Sequence, residues 1–370
     1  MRRHILAFVI TVLVLGGCAG TAPTAAADNM SVDFRVFYSE LAPYGQWVNR
    51  IEFGWVWAPY DVPVSWRPYT NGHWVYTDDY GWYWVSYWPW GWAPFHYGRW
   101  AYDDEYGWVW VPDTVWGPAW VDWRYGDGWI GWAPLPPIAV WRTGIGFSIQ
   151  IVEIERHIHP TSWVFCRERN FRHEHVNRYI ELPARNVTII QRTTNVTRYH
   201  VDHDRVVNRG YDVDKIEKAT GQRLARYRVR EVGAPAELAS TPRGNELPVY
   251  RPKVIPAPPG ASPPQPRLPR VAEPPERIRQ QTETQRRQLL QQQQTERQRL
   301  QEQHRRQLKT TAPAPAKEQI RRQEQSEMKV LGEEHRREQQ LLQRRQQREY
   351  QPSPQPRKED RSDERRQNSR

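Results

Sequence analysis

Apolar positions follow three different rhythms along this chain. A continuous apolar run fills residues 5–15. Between residues 44 and 137 the rhythm alternates, with aromatic residues two apart. Trp74 and Tyr76, then Trp82 and Trp84, each share one face of a strand. From about residue 276 apolar residues thin out to Ile278, Leu289, Leu300, Leu308, Ile320, Leu331 and Leu342, mostly 11 apart amid Gln, Arg and Glu. That spacing is not the 3-and-4 alternation of a heptad. It predicts a charged, marginal helix over 276–350, broken near 310–315, with a coiled coil as the alternative. Glu283 with Arg287 and Glu302 with Arg306 lie at i,i+4 and support such a solvated helix.

The alternating tract is internally periodic. Phe53-Gly54-Trp55-Val56-Trp57 recurs as Tyr80-Gly81-Trp82-Tyr83-Trp84 and again as Tyr106-Gly107-Trp108-Val109-Trp110, at offsets of 27 and 26. Each unit reads as a hairpin. Trp74 is expected opposite Trp84 and Tyr76 opposite Trp82, and Trp100 opposite Trp110 with Tyr102 opposite Trp108. Gly81 and Gly107 end the loops because glycine supplies φ > 0 where a loop rejoins a strand. Pro59, Pro68, Pro94, Pro112, Pro118 and Pro134 each follow a Trp by two positions and should end strands there. The expected fold is mainly β: antiparallel hairpin repeats of about 26 residues over 33–137, forming a small Trp-rich sheet, barrel or solenoid.

The interior of that tract has to be aromatic. Residues 44–137 hold 31 aromatics, 18 of them Trp, against 13 Val, Ile or Leu. Rings that each bury roughly 150–250 Å² cannot all disappear inside about 100 residues, so some are expected at the surface.

Residues 138–247 read as a β-rich extension. Strands are expected over 148–154, 186–190, 195–197 and 226–230, with one short helix over 212–220 closed by Gly221. Residues 248–275 hold 11 prolines and read as a Pro-rich linker. Residues 351–370 look like a disordered tail.

The amino terminus changes the picture. Arg2, Arg3 and His4, then the apolar run, then Leu15-Gly16-Gly17-Cys18 read as a secretory signal over 1–17. This segment resembles the lipobox of bacterial lipoproteins. The resemblance implies that Cys18 is acylated, that 18–32 is a lipidated linker, and that the protein sits on the periplasmic face of the outer membrane. Eleven apolar positions are too few to cross a bilayer as a helix. With Cys18 acylated, Cys166 has no partner for an intramolecular disulfide.

Net charge is −7 over residues 33–137, +5 over 138–250 and +12 over 251–370. An exported basic tail has lipid, lipopolysaccharide or peptidoglycan to meet, not nucleic acid. Composition also excludes a polytopic membrane protein, a disulfide scaffold and one compact enzyme.

Candidate chemistry is sparse. His157, His159, Cys166, His173 and His175 form a weak ligand set for zinc or copper. Histidines among Arg and Glu are more often solvated, so no metal or other cofactor is expected. There is no GxSxG, HExxH or phosphate loop. Cys166 with His173 as nucleophile and base is undercut by the core-like neighbours Trp163, Val164 and Phe165. Asp103, Asp104 and Glu105 read as an acidic turn.

The motifs Leu41-Ala42-Pro43-Tyr44-Gly45-Gln46-Trp47, Tyr80-Gly81-Trp82-Tyr83-Trp84, His96-Tyr97-Gly98-Arg99-Trp100 and Gly131-Trp132-Ala133-Pro134-Leu135-Pro136-Pro137 keep their order. In this they resemble a Trp-rich family of exported bacterial proteins whose domain has no assigned function, over roughly residues 33–235. Some relatives carry a domain like those of FecR-type periplasmic regulators, which is not expected in the roughly 15 residues after Cys18.

The expected function is a non-enzymatic cell-envelope lipoprotein serving as a structural or binding scaffold. One alternative is glycan or peptidoglycan binding, with Trp74, Trp82, Trp84, Trp100, Trp108 and Trp110 as stacking platforms. Another is a periplasmic partner module of a signalling or envelope-stress system, using the C-terminal helix to hold another envelope protein.

Overall fold

The computed structural model describes residues 31–238, 244–258, 261–263, 275–310 and 313–350. The signal segment, Cys18 and the expected tail 351–370 lie outside the described residues.

A short strand β1 (Ser31–Asp33) and a helix α1 (Arg35–Leu41) lead into four hairpins. These are β2 (Gly45–Arg50) with β3 (Gly54–Pro59), β4 (Gly72–Thr77) with β5 (Gly81–Ser86), β6 (Arg99–Asp103) with β7 (Gly107–Val111), and β8 (Val121–Gly126) with β9 (Trp129–Pro134). The expected registers are present: Trp74 faces Trp84, Tyr76 faces Trp82, Trp100 faces Trp110 and Tyr102 faces Trp108. The outer hairpins share the device, with Trp47 opposite Trp57 and Trp123 opposite Trp132. Gly81 and Gly107 hold φ of 72° and 77°, as their turns require. Asp127 and Gly128 turn the last hairpin with φ of 49° and 70°, the twist of a two-residue type I′ loop.

A second, unanticipated rule makes the registers possible. Gly45, Gly72 and Gly98 each lie against the indole of a Trp on the neighbouring strand: Trp57, Trp84 and Trp110. A Cβ on Gly72 would sit 2.7 Å from the Trp84 ring and 2.1 Å from the Val85 carbonyl oxygen.

The hairpins do not stack in chain order. β3 pairs with β7, so the first and third hairpins form one four-stranded sheet, β2-β3-β7-β6. Later in the chain, β10 (Trp141–Arg142) and β11 (Gly146–Phe147) form a two-stranded sheet of their own and β18 (Lys253–Ile255) pairs with β1, while β12 (Val164–Arg167), β13 (Thr194–Asn195), β14 (Tyr199–Asp202), β15 (Arg205–Asn208), β16 (Arg226–Glu231) and β17 (Glu246–Val249) join the second and fourth hairpins. One sheet runs β14-β15-β5-β4-β16-β17 and another β12-β9-β8-β13. Among the described residues no sheet closes into a barrel, and pairing that skips a unit rules out a solenoid of neighbouring hairpins there.

The later segment also departs from expectation. The predicted strand 148–154 contains instead α2 (Ile151–Arg156), and 186–190 contains α3 (Asn186–Ile189). Ile151, Ile154 and Ile158 fit a helical i, i+3, i+7 stripe, and Ile154 and Ile158 are buried. The helix α4 (Val213–Thr220) forms as expected. Asp212 caps it by accepting from the Asp214 N–H, and Gly221 closes it at φ 66°. Part of the Pro-rich segment is in sheets, since β17 pairs with β16 and β18 with β1, both in parallel.

A single aromatic core links these sheets. Trp74, Trp82, Trp123 and Trp132 pack with Phe171, Tyr211 and Ile216. Indole N–H groups tie the core to irregular backbone: Trp57 donates to the Leu41 carbonyl at 3.1 Å, Trp82 to Tyr211 at 2.7 Å and Trp132 to Tyr69 at 2.9 Å. Six other buried indole N–H groups, of Trp47, Trp66, Trp74, Trp84, Trp88 and Trp116, have no partner.

The C-terminal segment forms two helices, α5 (Pro275–Thr310) and α6 (Ala314–Tyr350). They pack antiparallel: Gln293 reaches Glu338, Glu296 reaches His335 and His304 reaches Glu327, one number rising as the other falls. Leu289, Leu300, Leu331 and Leu342 are buried, so the 11-residue spacing marks the inner stripe of each helix. No described helix is long and apolar enough to cross a membrane.

Candidate functional site

The two helices lie across the β-rich body and are held at both ends. At one end Leu300 and Leu331 pack on Leu182 and Ala184. Beside them Glu327, buried, accepts from Thr188 and from His304 (2.9 Å) and faces Arg185 at 3.6 Å. Arg185 also pairs with the buried Glu181 at 3.0 Å, and Arg299 of α5 reaches Glu181 at 3.3 Å. At the other end Arg345 donates to the Val62 carbonyl (2.8 Å), Arg348 to Glu105 (2.8 Å) and Arg344 to Asp104. Leu341 approaches Gly107 so closely that a Cβ there would meet its side chain at 2.9 Å.

Between the two clamps the surfaces separate and leave a cleft of about 730 Å³. The body supplies Trp66, Trp88, Tyr102 and Trp108, together with Arg67 and Asp104. The helices supply Glu296, Glu334 and Glu338 together with Arg299, Arg337 and His335. The volume is that of an ordinary small-ligand site, and the lining mixes four aromatic rings with many charged side chains. Two of the unpartnered indole N–H groups, those of Trp66 and Trp88, belong to residues that line it. Trp66 is 8% exposed, so water does not readily satisfy its donor.

The helix wall is electrically mixed, with three glutamates beside two arginines. Burial raises the Glu338 carboxyl to about 7, against the Gln293 amide that donates to it at 2.8 Å. Burial acts on Glu296 too, but the hydrogen bond from His335 holds that carboxyl below its ordinary value. Burial pulls the Arg67 guanidinium down to about 10, opposed by Glu334, Glu296 and Glu338, and it stays cationic at neutral pH. Arg67 donates to the Thr161 carbonyl at 3.2 Å and also to Trp163, which fixes it at the cleft. Near pH 7 the site therefore offers N–H donors, carboxylate acceptors and one carboxyl close to its midpoint.

Of the six expected stacking residues, Trp74, Trp82, Trp84, Trp100 and Trp110 are at most 3% exposed and are core. A ring enclosed on both faces has none to offer a ligand, so the platform assignment is corrected for these five. Trp108 alone is partly open, and it lines the cleft. Trp66 and Trp88 were missed because they stand in loops outside the strand alternation.

The weak metal set does not assemble. Cys166 is fully buried on β12, and burial pushes its thiol far above the ordinary range. His157, His159, His173 and His175 are exposed. His159 caps a short turn by accepting from the Thr161 N–H, and His173 accepts from the His175 N–H. Among the described residues no three His, Cys, Asp or Glu side chains form a group that could hold a metal ion. Asp103 of the acidic turn binds Arg50 at 2.7 Å and the backbone N–H groups of Glu105 and Tyr106.

Residues 38–139 are similar to a protein family described as a family of unknown function (DUF6600). The match covers the four hairpins and ends well before residue 235, the limit that the motif resemblance suggested. No curated protein and no solved structure matches the chain.

Proposed function

We propose that the protein is a non-enzymatic binding module of the bacterial cell envelope, anchored through an acylated Cys18, and that its ligand site is the cleft beneath α5 and α6. The ligand class that fits is a glycan of the wall or of lipopolysaccharide. Sugar rings present apolar faces to aromatic side chains, and hydroxyls that both donate and accept. The observation that carries this reading is the set of aromatic side chains, Trp66, Trp88, Tyr102 and Trp108, facing a wall that carries Glu296, Glu334 and Glu338 alongside Arg299 and Arg337. A sugar ring can stack on the partly open Trp108 while its hydroxyls donate to Glu296 or Glu334 and accept from Arg299 or Arg337, which engages both walls at once. The scaffold role remains with the buried Trp, which set the shape of the body.

The test is a titration of the full chain with peptidoglycan fragments and with lipopolysaccharide, followed by tryptophan fluorescence. Saturable binding is expected, weakened about tenfold or more by Trp108→Ala, since one stacked ring contributes ~1–3 kcal/mol in comparable platforms. Absence of any spectral change at millimolar glycan would sink the glycan assignment.

A further inference from the structure

Charge on α5 and α6 is sorted by side to a degree that net charge does not reveal. The two helices carry 18 Lys or Arg and 11 Asp or Glu. Among exposed residues there are 15 cations and three acids, Glu276, Glu283 and Glu318; Arg299 and Arg344 bind the body and Arg337 lines the cleft, which leaves 12 cations directed away from the body. The other described acids turn inward or stand half-covered. Glu296 and Glu327 bind histidines of the opposite helix, Glu338 binds Gln293, and Glu334 faces the cleft. Glu302 and Glu318 each lie between two arginines and offset part of the excess. Arg287, Arg297, Lys329 and Arg336 are exposed with no acid in contact.

We infer that the outward face of α5 and α6 is a docking surface for an anionic lipid membrane. The outward cations run from Arg277 on α5 to Arg336 on α6, along helices of 36 and 37 residues, each about 54 Å long at the usual rise. They are spread rather than gathered, as an extended planar array of phosphates requires and a point ligand does not. Leu290, 46% exposed, is the only large apolar side chain exposed on either helix among the described residues. The face would therefore rest on headgroups by charge and not insert. Its inward side is already occupied by the body, so the polarity of the pair is fixed: the buried leucines, most acids and the clamping arginines Arg299, Arg344, Arg345 and Arg348 face in, and the remaining exposed cations face out. This inference is independent of what the cleft binds.

The experiment uses the chain from residue 18 onward with Cys18→Ser, so that neither the apolar run over 5–15 nor an acyl group supplies the attachment. Cosedimentation is measured with vesicles of phosphatidylcholine alone, and of phosphatidylcholine with about a third phosphatidylglycerol. Binding is expected only to the anionic vesicles, and it should vanish as salt rises from about 0.05 to 0.5 M. Replacing Arg287, Arg297, Lys329 and Arg336 together by Gln should weaken it about thirtyfold or more. These side chains touch nothing in the body, and unchanged helicity verifies the fold. Equal binding to both vesicles, binding that survives high salt, or no loss in the fourfold variant overturns the inference. Capture by heparin with neither vesicle bound also overturns it, and reassigns the face to a soluble polyanion.

Discussion

Replacing Gly72 by alanine tests how the aromatic hairpins are locked. The new Cβ would lie 2.1 Å from the Val85 carbonyl oxygen and 2.7 Å from Cζ2 of Trp84. Neither obstacle can retreat cheaply. Val85 O belongs to the neighbouring strand, whose register with β4 runs from Gly72 opposite Ser86 to Thr77 opposite Gly81. Trp84 is fully buried, with ring centroids of Trp74 at 5.0 Å and Tyr69 at 5.8 Å. Overpacking ordinarily costs about 1–3 kcal/mol, and two rigid neighbours place this site at the top, ~3 kcal/mol. For a body of this size that lowers Tm by roughly 6–12 °C. Gly54→Ala is the control. It has φ of 70° but no atom within 4 Å of the added Cβ, so it bears only the left-handed backbone cost, about 1–2 kcal/mol. Urea unfolding read by far-UV circular dichroism and by fluorescence measures both, with coincident transitions as the two-state check. Gly72→Ala combined with Trp84→Phe should lose less than the sum of the single changes by about 1 kcal/mol, because the smaller ring vacates the clash. Equal costs at Gly72 and Gly54, or strict additivity with Trp84→Phe, would refute the steric explanation.

Other outcomes follow from the same coordinates. Because the folded Glu338 carboxyl titrates near 7 and its ordinary value is 4.5, the folded chain holds this proton more tightly than the unfolded one. Its stabilising contribution is complete below about 4.5 and is lost as pH rises towards 7, so wild type should lose ~1–2 kcal/mol relative to Glu338→Gln over that interval after solvent screening. A constant or widening advantage of wild type contradicts this. Arg185→Ala removes a cation shared by buried Glu181 and Glu327 and should cost about 2–3 kcal/mol. Faster amide exchange in α5 and α6 checks it, and unchanged protection there argues against a clamp. Cys166, buried and with its thiol pushed up, should resist a thiol reagent in buffer and react once urea unfolds the chain. Rapid labelling of the native chain would contradict its placement.

What could be read from the sequence depended on how local the determinant was. Pairing of Trp74 with Trp84 and of Trp100 with Trp110 follows from loop length and alternation, which are contained within one hairpin. Pairing of β3 with β7 depends on residues more than 50 positions apart, Trp57 and Trp110, and no periodicity encodes it. Alternation also says which rings share a face, but not whether that face turns inward. That is why Trp82 and Trp84 resembled platforms and are core. Residues 148–154 and 186–190 were ambiguous because so short an apolar run fits either period, and burial of Ile154 and Ile189 settled them as helix. The charged C-terminal helices were legible as helices. Their contact with the body was not, since it runs through Arg-to-carbonyl bonds and a buried Glu327 that a hydropathy pattern ignores.

The parallel pairing of β1 with β18 has a mechanical meaning. Ser31 faces Lys253 and Asp33 faces Ile255, so the strand that enters the body and the strand from which the chain leaves toward α5 run side by side in one direction. A pull on the amino-terminal end of β1 and an opposing pull on the carboxy-terminal end of β18 would slide the two strands along each other. All the rungs between them would then resist together, rather than parting one after another as in a peeled hairpin. Were the chain tethered at its start and held through its helices, tension would enter the body along this seam, in its stronger direction.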